Sequence, residues 1–179
     1  MDLHNETVVN VAALLKEQVG AIRSYPLTLD RFALDSDLFA EGIAGNVKLT
    51  RLSDEIIAGI RARGTVTLEC QRCLRSYEQP FRTEFDEEFR EAFDVRTGAG
   101  MKSGRPDDER FAIDENHELD FSEPLRQEIL VSLPMRPDCG DDCPGPDVIE
   151  VGDEGTVDDR LAALATLLDD EQSSDEPIP

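Results

Sequence analysis

No apolar run in this chain approaches the ~18 residues that a membrane-spanning helix needs, which excludes a helical membrane anchor. Met1 to Asn10 offers neither a basic start nor an apolar stretch, so no secretory signal is expected and the expected compartment is the cytoplasm. Tryptophan is absent and aromatics make up only 6%, yet hydrophobic residues reach 39% of 179, enough for one domain with a core of its own. Histidine occurs twice, as His4 and His117, neither beside a cysteine, which speaks against a catalytic metal. There is no Walker loop, no GxGxxG and no Ser/His/Asp arrangement. Carboxylates are too numerous to single out a catalytic pair, so no enzyme and no small-molecule substrate is expected.

Positive charge is also scarce. Lys and Arg number 18 against 40 Asp and Glu, a net charge of −22. Such a surface repels phosphate and argues against simple scanning of nucleic acid. The imbalance is uneven. Residues 1–82 hold 10 basic and 11 acidic residues, a net of −1, which leaves 8 and 29, a net of −21, for residues 83–179. The acidic half can be a solvated surface that serves solubility or a surface that attracts a basic partner.

The periodicity gives the fold. Val11, Leu14, Leu15 and Val19 share a helical face, with Asn10 as cap and Gly20 as stop. Ser24 to Arg31 reads as extended. Val47 and Leu49 alternate with polar residues, and Ser53-Asp54-Glu55 is turn chemistry. Ile60, Ala62, Gly64, Val66, Leu68 and Cys70 then fall on one face of a strand, and Arg61, Arg63, Thr65, Thr67 and Glu69 on the other. Tyr77, Phe81, Phe85, Phe89 and Phe93 recur every fourth residue, and Pro80 with the β-formers around it favours strand over helix. Residues 94–117 read as a mobile acidic loop with a short extended piece at Phe111 to Ile113. A helix follows, with Asp120 or Ser122 as cap, Leu125, Ile129 and Leu130 as its stripe, and Pro134 as stop. A last helix is expected from Thr156, where Thr156 and Asp159 have capping-box spacing, and residues 169–179 form an acidic, disordered tail. The expected fold is α+β: one domain over residues 1–168, a twisted antiparallel β-meander carrying a cysteine knuckle, with helices packed on one face or end.

Cys70 and Cys73 form a C-x2-C, and Cys139 and Cys143 a C-x3-C. In a reducing compartment four cysteines point to free thiols or metal rather than disulfides. Two close pairs separated by a long insert are how a four-thiolate zinc site is assembled from two loops, giving one Zn2+ per chain. Arg72 and Arg75 could offset the negative charge left over. Two alternatives stay open. The pairs can be unligated thiols at turns, or the first can be a redox pair, although a redox C-x2-C opens a helix and here a strand follows.

The run Thr65-Val66-Thr67-Leu68-Glu69-Cys70-Gln71-Arg72-Cys73-Leu74, with the aromatic strand after it, resembles the hallmark of the YceD-like family of large ribosomal RNA subunit accumulation proteins. Glu118-Leu119-Asp120-Phe121 leading to Leu133-Pro134 is similar to that family's second hallmark, and Asp159-Arg160-Leu161 to its closing segment. The likeness covers roughly residues 24–168. Many members carry a further cysteine pair after the C-x3-C, where this chain has Pro144-Gly145-Pro146-Asp147 instead.

The resemblance implies a bacterial-type ribosome-biogenesis factor that acts by binding in the synthesis, processing or stability of large-subunit (23S) ribosomal RNA, with that RNA or a pre-ribosomal particle as partner. The competing readings are a zinc-ribbon-like interaction module of an unrelated process and a thiol redox enzyme. On the leading reading, Arg61, Arg63, Arg72 and Arg75 are candidate phosphate contacts, with pairing to glutamates on the same strand face as the alternative. Asp107, Asp108, Glu109, Asp114 and Glu115 are candidates to attract a basic ribosomal protein.

Overall fold

Alternation along most of four successive segments produces four long strands, and their inward faces make the core. A computed structural model describes residues 2–91 and 111–146. Two short strands, β1 (Leu3–His4) and β2 (Val8–Asn10), precede a one-turn helix, α1 (Ala12–Leu15). Then come β3 (Ile22–Ala33), β4 (Phe39–Arg51), β5 (Glu55–Glu69) and β6 (Ser76–Glu91). After the undescribed residues lie β7 (Phe111–Ile113), β8 (Glu118–Asp120) and α2 (Ser122–Ser132).

The main sheet runs in the order β1-β3-β4-β5-β6-β7 and is curled. Strands β3 to β6 form the expected antiparallel meander. The edges depart from that expectation: β1 lies parallel to β3 and β7 parallel to β6, so the sheet is mixed. Both edge strands are only two or three residues long, too short to carry a periodic signal. A separate antiparallel pair joins β2 to β8.

Inward positions follow period two. Leu27 and Leu29 of β3, Val47 and Leu49 of β4, Ile56, Ala58, Ile60 and Ala62 of β5, and Phe89 of β6 are all buried. Leu14, Leu15, Phe121, Leu125 and Ile129 from the helical segments complete the same cluster. Gly45 marks a close approach of β4 to β5 beside the register shift between Glu41 and Ala44: a Cβ there would lie 2.0 Å from the Arg61 carbonyl oxygen. Gly64 leaves the room that the Phe81 ring on the neighbouring strand takes.

The first helix is much shorter than expected. Asn10 does accept the Ala12 N–H, at 3.1 Å, but only four residues are helical. Val19 is 65% exposed rather than part of the buried face, and Gly20, at φ +89°, turns the chain into β3. The second helix matches its stripe and stop. Asp120 Oδ1 accepts the Ser122 N–H at 2.8 Å, and Leu133 is extended ahead of Pro134. Phe111–Ile113 is a strand, and Asp114 to His117 is a tight turn into β8. Phe93, residues 92–110, the expected last helix and the acidic tail lie outside the described residues.

Candidate metal centre

The tip of the β5–β6 hairpin carries the first cysteine pair. Cys70 directly follows β5, and the chain reverses over residues 70–75. The Cys70 N–H donates to the Arg75 carbonyl oxygen (3.0 Å), and the Leu74 N–H to that of Cys70 (2.9 Å). Leu74 sits in the left-handed region at φ +59°, unusual for a bulky side chain, and is 70% exposed. The second pair follows α2. There the Cys143 N–H donates to the Gly140 carbonyl oxygen at 3.2 Å, and Gly140 is at φ +100°. The Gln71 N–H joins the two loops by donating to the Pro137 carbonyl oxygen at 3.0 Å.

These turns bring all four sulfurs together. Cys70 Sγ lies 3.8 Å from Cys143 Sγ, and Cys73 Sγ 3.7 Å from Cys139 Sγ. Each sulfur is within 4.8 Å of the others. A disulfide needs about 2.05 Å, so the four thiols are free. A tetrahedron with Zn–S bonds of about 2.3 Å has edges of about 3.8 Å. The two short sulfur–sulfur distances match such an edge, and the donor set suits a soft or borderline cation such as zinc.

The electrostatics of the four thiols are uneven. The Cys73 backbone N–H, helped by that of Arg72, pulls the Cys70 thiol down to about 6. Cys139 is pushed up to about 12 by its hydrogen bond to Cys143 and by burial. The group therefore ionises one thiol readily and resists ionising the next. A divalent cation among the sulfurs would favour the ionised form of all four.

Arg72 and Asp138 border the cluster. Their side chains approach to 3.3 Å, each well exposed, and Asp138 Oδ1 accepts the Gly140 N–H at 2.9 Å. The Gly140 N–H and Arg72 hold the Asp138 carboxyl below its ordinary range. Asp138 also raises the Arg72 pKa, with Cys143 adding to it. Sequence reasoning did not single out Asp138 or Leu74. The Asp-x-Gly spacing at Asp138 to Gly140 was a usable signal, since Asp commonly accepts a backbone N–H two residues on.

The four candidate arginines divide. Arg61 pairs with Glu84 at 2.6 Å, both exposed, and Arg72 pairs with Asp138. Arg63 and Arg75 are exposed, and among the described residues neither has an ion-pair partner. Of the acidic candidates, Asp107, Asp108 and Glu109 lie outside the described residues. Glu115 is exposed. The Asp114 carboxylate is occupied in its own turn, accepting the N–H groups of Asn116 (2.9 Å) and Glu118 (2.7 Å).

The family model described as "Large ribosomal RNA subunit accumulation protein YceD" matches residues 58–168. The chain belongs to the YceD family. The matched span begins in β5, takes in β6 and α2, and contains all four cysteines. The family's description names an accumulation role for large-subunit ribosomal RNA and no reaction. No curated protein and no solved structure matches the chain. No helix among the described residues is long and apolar enough to cross a membrane.

Proposed function

We propose that this protein is a non-enzymatic cytoplasmic factor that binds large-subunit ribosomal RNA or its precursor particle and supports the synthesis, processing or stability of that RNA. The observation that carries this reading is the family match across residues 58–168. Cys70, Cys73, Cys139 and Cys143 hold one Zn2+, in keeping with the four-sulfur geometry. The metal's work is structural: it ties the β5–β6 hairpin tip to the segment after α2 and fixes the surface around Arg72 and Arg75. Four protein thiolates fill a tetrahedral site and leave no open position for substrate, which separates this centre from catalytic zinc.

The arginines contact phosphates and position the protein rather than read sequence. Arg63 and Arg75, which have no ion-pair partner among the described residues, are available without rearrangement. Arg61 and Arg72 must first exchange a carboxylate partner. The acidic half, including Asp107, Asp108, Glu109 and Glu115, attracts a basic large-subunit protein at long range. Asp114 has its turn to hold and contributes charge only.

Affinity capture of the full chain from growing cells, with RNA and protein both identified, tests this reading. Large-subunit RNA and its precursors should be enriched over small-subunit RNA, together with basic large-subunit proteins. Equal recovery of both RNAs would overturn it.

A further inference from the structure

Two arginines meet directly on the outer face of the sheet. Arg63 of β5 and Arg82 of β6 are register partners. Both are exposed, and among the described residues neither has a carboxylate partner. Like charges directly opposite on an antiparallel pair are unfavourable. The next row of the same face shows the usual remedy, because Arg61 opposite Glu84 makes an ion pair. Among the described residues this cationic pair has no such neutralising carboxylate.

The surroundings leave room for a ligand. On the other side of Arg63 the β4 partner is Ala44, at the end of the register shift that begins at Glu41. The small side chain leaves the surface open above it. A cleft of about 440 Å³ results, bordered by Ala44, Asn46, Arg61, Arg63, Arg82 and Thr83. Asn46 is exposed and faces the same side, opposite Arg61. Two guanidinium forks with an amide donor beside them form a set of donors suited to the oxygens of a phosphate.

We infer that Arg63 and Arg82 form a phosphate-binding cleft on the outer sheet face that grips the backbone of the ribosomal RNA partner. The inference rests on the RNA-binding reading above and adds Arg82 to it. Arg63 and Arg82 bind, Asn46 supplements them, and Glu84 holds Arg61 in reserve. A phosphate seated between the guanidiniums removes their mutual repulsion, so the free protein carries the strain and the complex relieves it.

The test uses the full chain, loaded with zinc, and overlapping transcribed fragments of large-subunit ribosomal RNA at several salt concentrations. Each phosphate contact to a single strand contributes about 0.7 to the salt slope, or roughly fivefold in affinity between 1 M and 0.1 M salt. The double variant R63Q/R82Q should bind the best fragment about 25-fold more weakly at 0.1 M salt, with a slope lower by about 1.4. Its melting temperature should hold or rise, because a repulsion is gone. A structural role for the pair would lower it instead. E84Q, which frees Arg61, should tighten binding. Parent-like affinity in the double variant, or a loss of affinity that tracks a fall in melting temperature, overturns the cleft and leaves the RNA reading intact. Competition by inorganic phosphate at concentrations that match RNA affinity would also overturn it, in favour of a free anion. If the parent binds no fragment, the RNA reading fails and the cleft with it.

Discussion

Removing the metal should open one end of the molecule and leave the rest folded. Without zinc, few contacts tie the segment after α2 to the hairpin tip: the Gln71–Pro137 backbone hydrogen bond, the Arg72–Asp138 ion pair and weak sulfur contacts. A hydrogen bond contributes about 1 kcal/mol net, and an ion pair this exposed at most about 1 kcal/mol. The metal-free clasp is then held by about 1–2 kcal/mol, which slows exchange of the Gln71 amide by only about 5- to 30-fold. Zinc that binds only the closed form, at a thousand times its dissociation constant, adds about 4 kcal/mol and raises protection about a thousandfold. Hydrogen exchange read by mass spectrometry, with and without a strong chelator, should show this loss in peptides over residues 68–76 and 134–146. Peptides from β3 and the middle of β5 should not change, since their inward residues belong to a core that does not include the cysteine loops. Cys73→Ser should reproduce the chelator's pattern, and native mass spectrometry should find one zinc on the parent and none on the variant. A parent purified metal-free from zinc-replete cells with the clasp still protected would refute the reasoning, and so would loss of protection throughout the sheet on chelation.

Two further substitutions probe the frame around this centre. Gly45→Ala places a Cβ 2.0 Å from the Arg61 carbonyl oxygen, so β4 must shift away from β5. We expect a loss of about 2–3 kcal/mol in urea unfolding with an unchanged m-value, and a loss under 0.5 kcal/mol would count against the β4–β5 register. Leu74→Gly relieves a bulky residue at φ +59°, worth about 1–2 kcal/mol, against about 0.5–1 kcal/mol of added chain entropy. The net should be a small gain in the metal-bound protein's stability, and a clear loss would mean that the exposed leucine packs on something in solution.

The long strands were legible because each has an inward and an outward row. Ile60 to Cys70 reads as period two, and the structure buries Ile60, Ala62, Val66 and Cys70. Phe81 and Phe89, spaced at a multiple of two, both point inward. α2 was legible through its stripe and Pro134. The Val11 helix was misjudged in length because four apolar positions matched a helical face while Gly20 and the start of β3 stopped the chain from continuing it. β1, β2 and β8 were not legible, since strands of two or three residues gain their stability from neighbours distant in sequence, such as Leu27 opposite Leu3. The cysteine grouping followed from spacing, but the pairing did not. Each short sulfur–sulfur distance joins one cysteine from each pair, which spacing alone cannot specify. Sequence alternation placed Arg61 and Arg63 on the outer face, yet only the β5–β6 register distinguishes an arginine facing Glu84 from one facing Arg82.

On the proposed RNA-binding reading, that register accounts for how so acidic a protein meets RNA. Net charge governs the field far from the surface, where −22 repels a phosphate chain. At physiological salt this repulsion fades over about 8 Å, so within contact distance the local arrangement decides. On the outer face Glu84 neutralises Arg61, while among the described residues no carboxylate pairs with Arg63 or Arg82. Near the hairpin tip Asp138 holds Arg72, and among the described residues Arg75 has no ion-pair partner. The acidic residues have therefore not cancelled every cation. Among the described residues they have left a few, set on the β5–β6 hairpin that the metal would brace at its tip. On that reading, binding should be weak toward arbitrary nucleic acid, because the net charge opposes approach, and should require an RNA whose shape brings its phosphates to those few points. On the proposed function, a protein that joins a precursor particle and leaves it again is served by such an arrangement, since affinity stays modest and selectivity comes from where repulsion is absent.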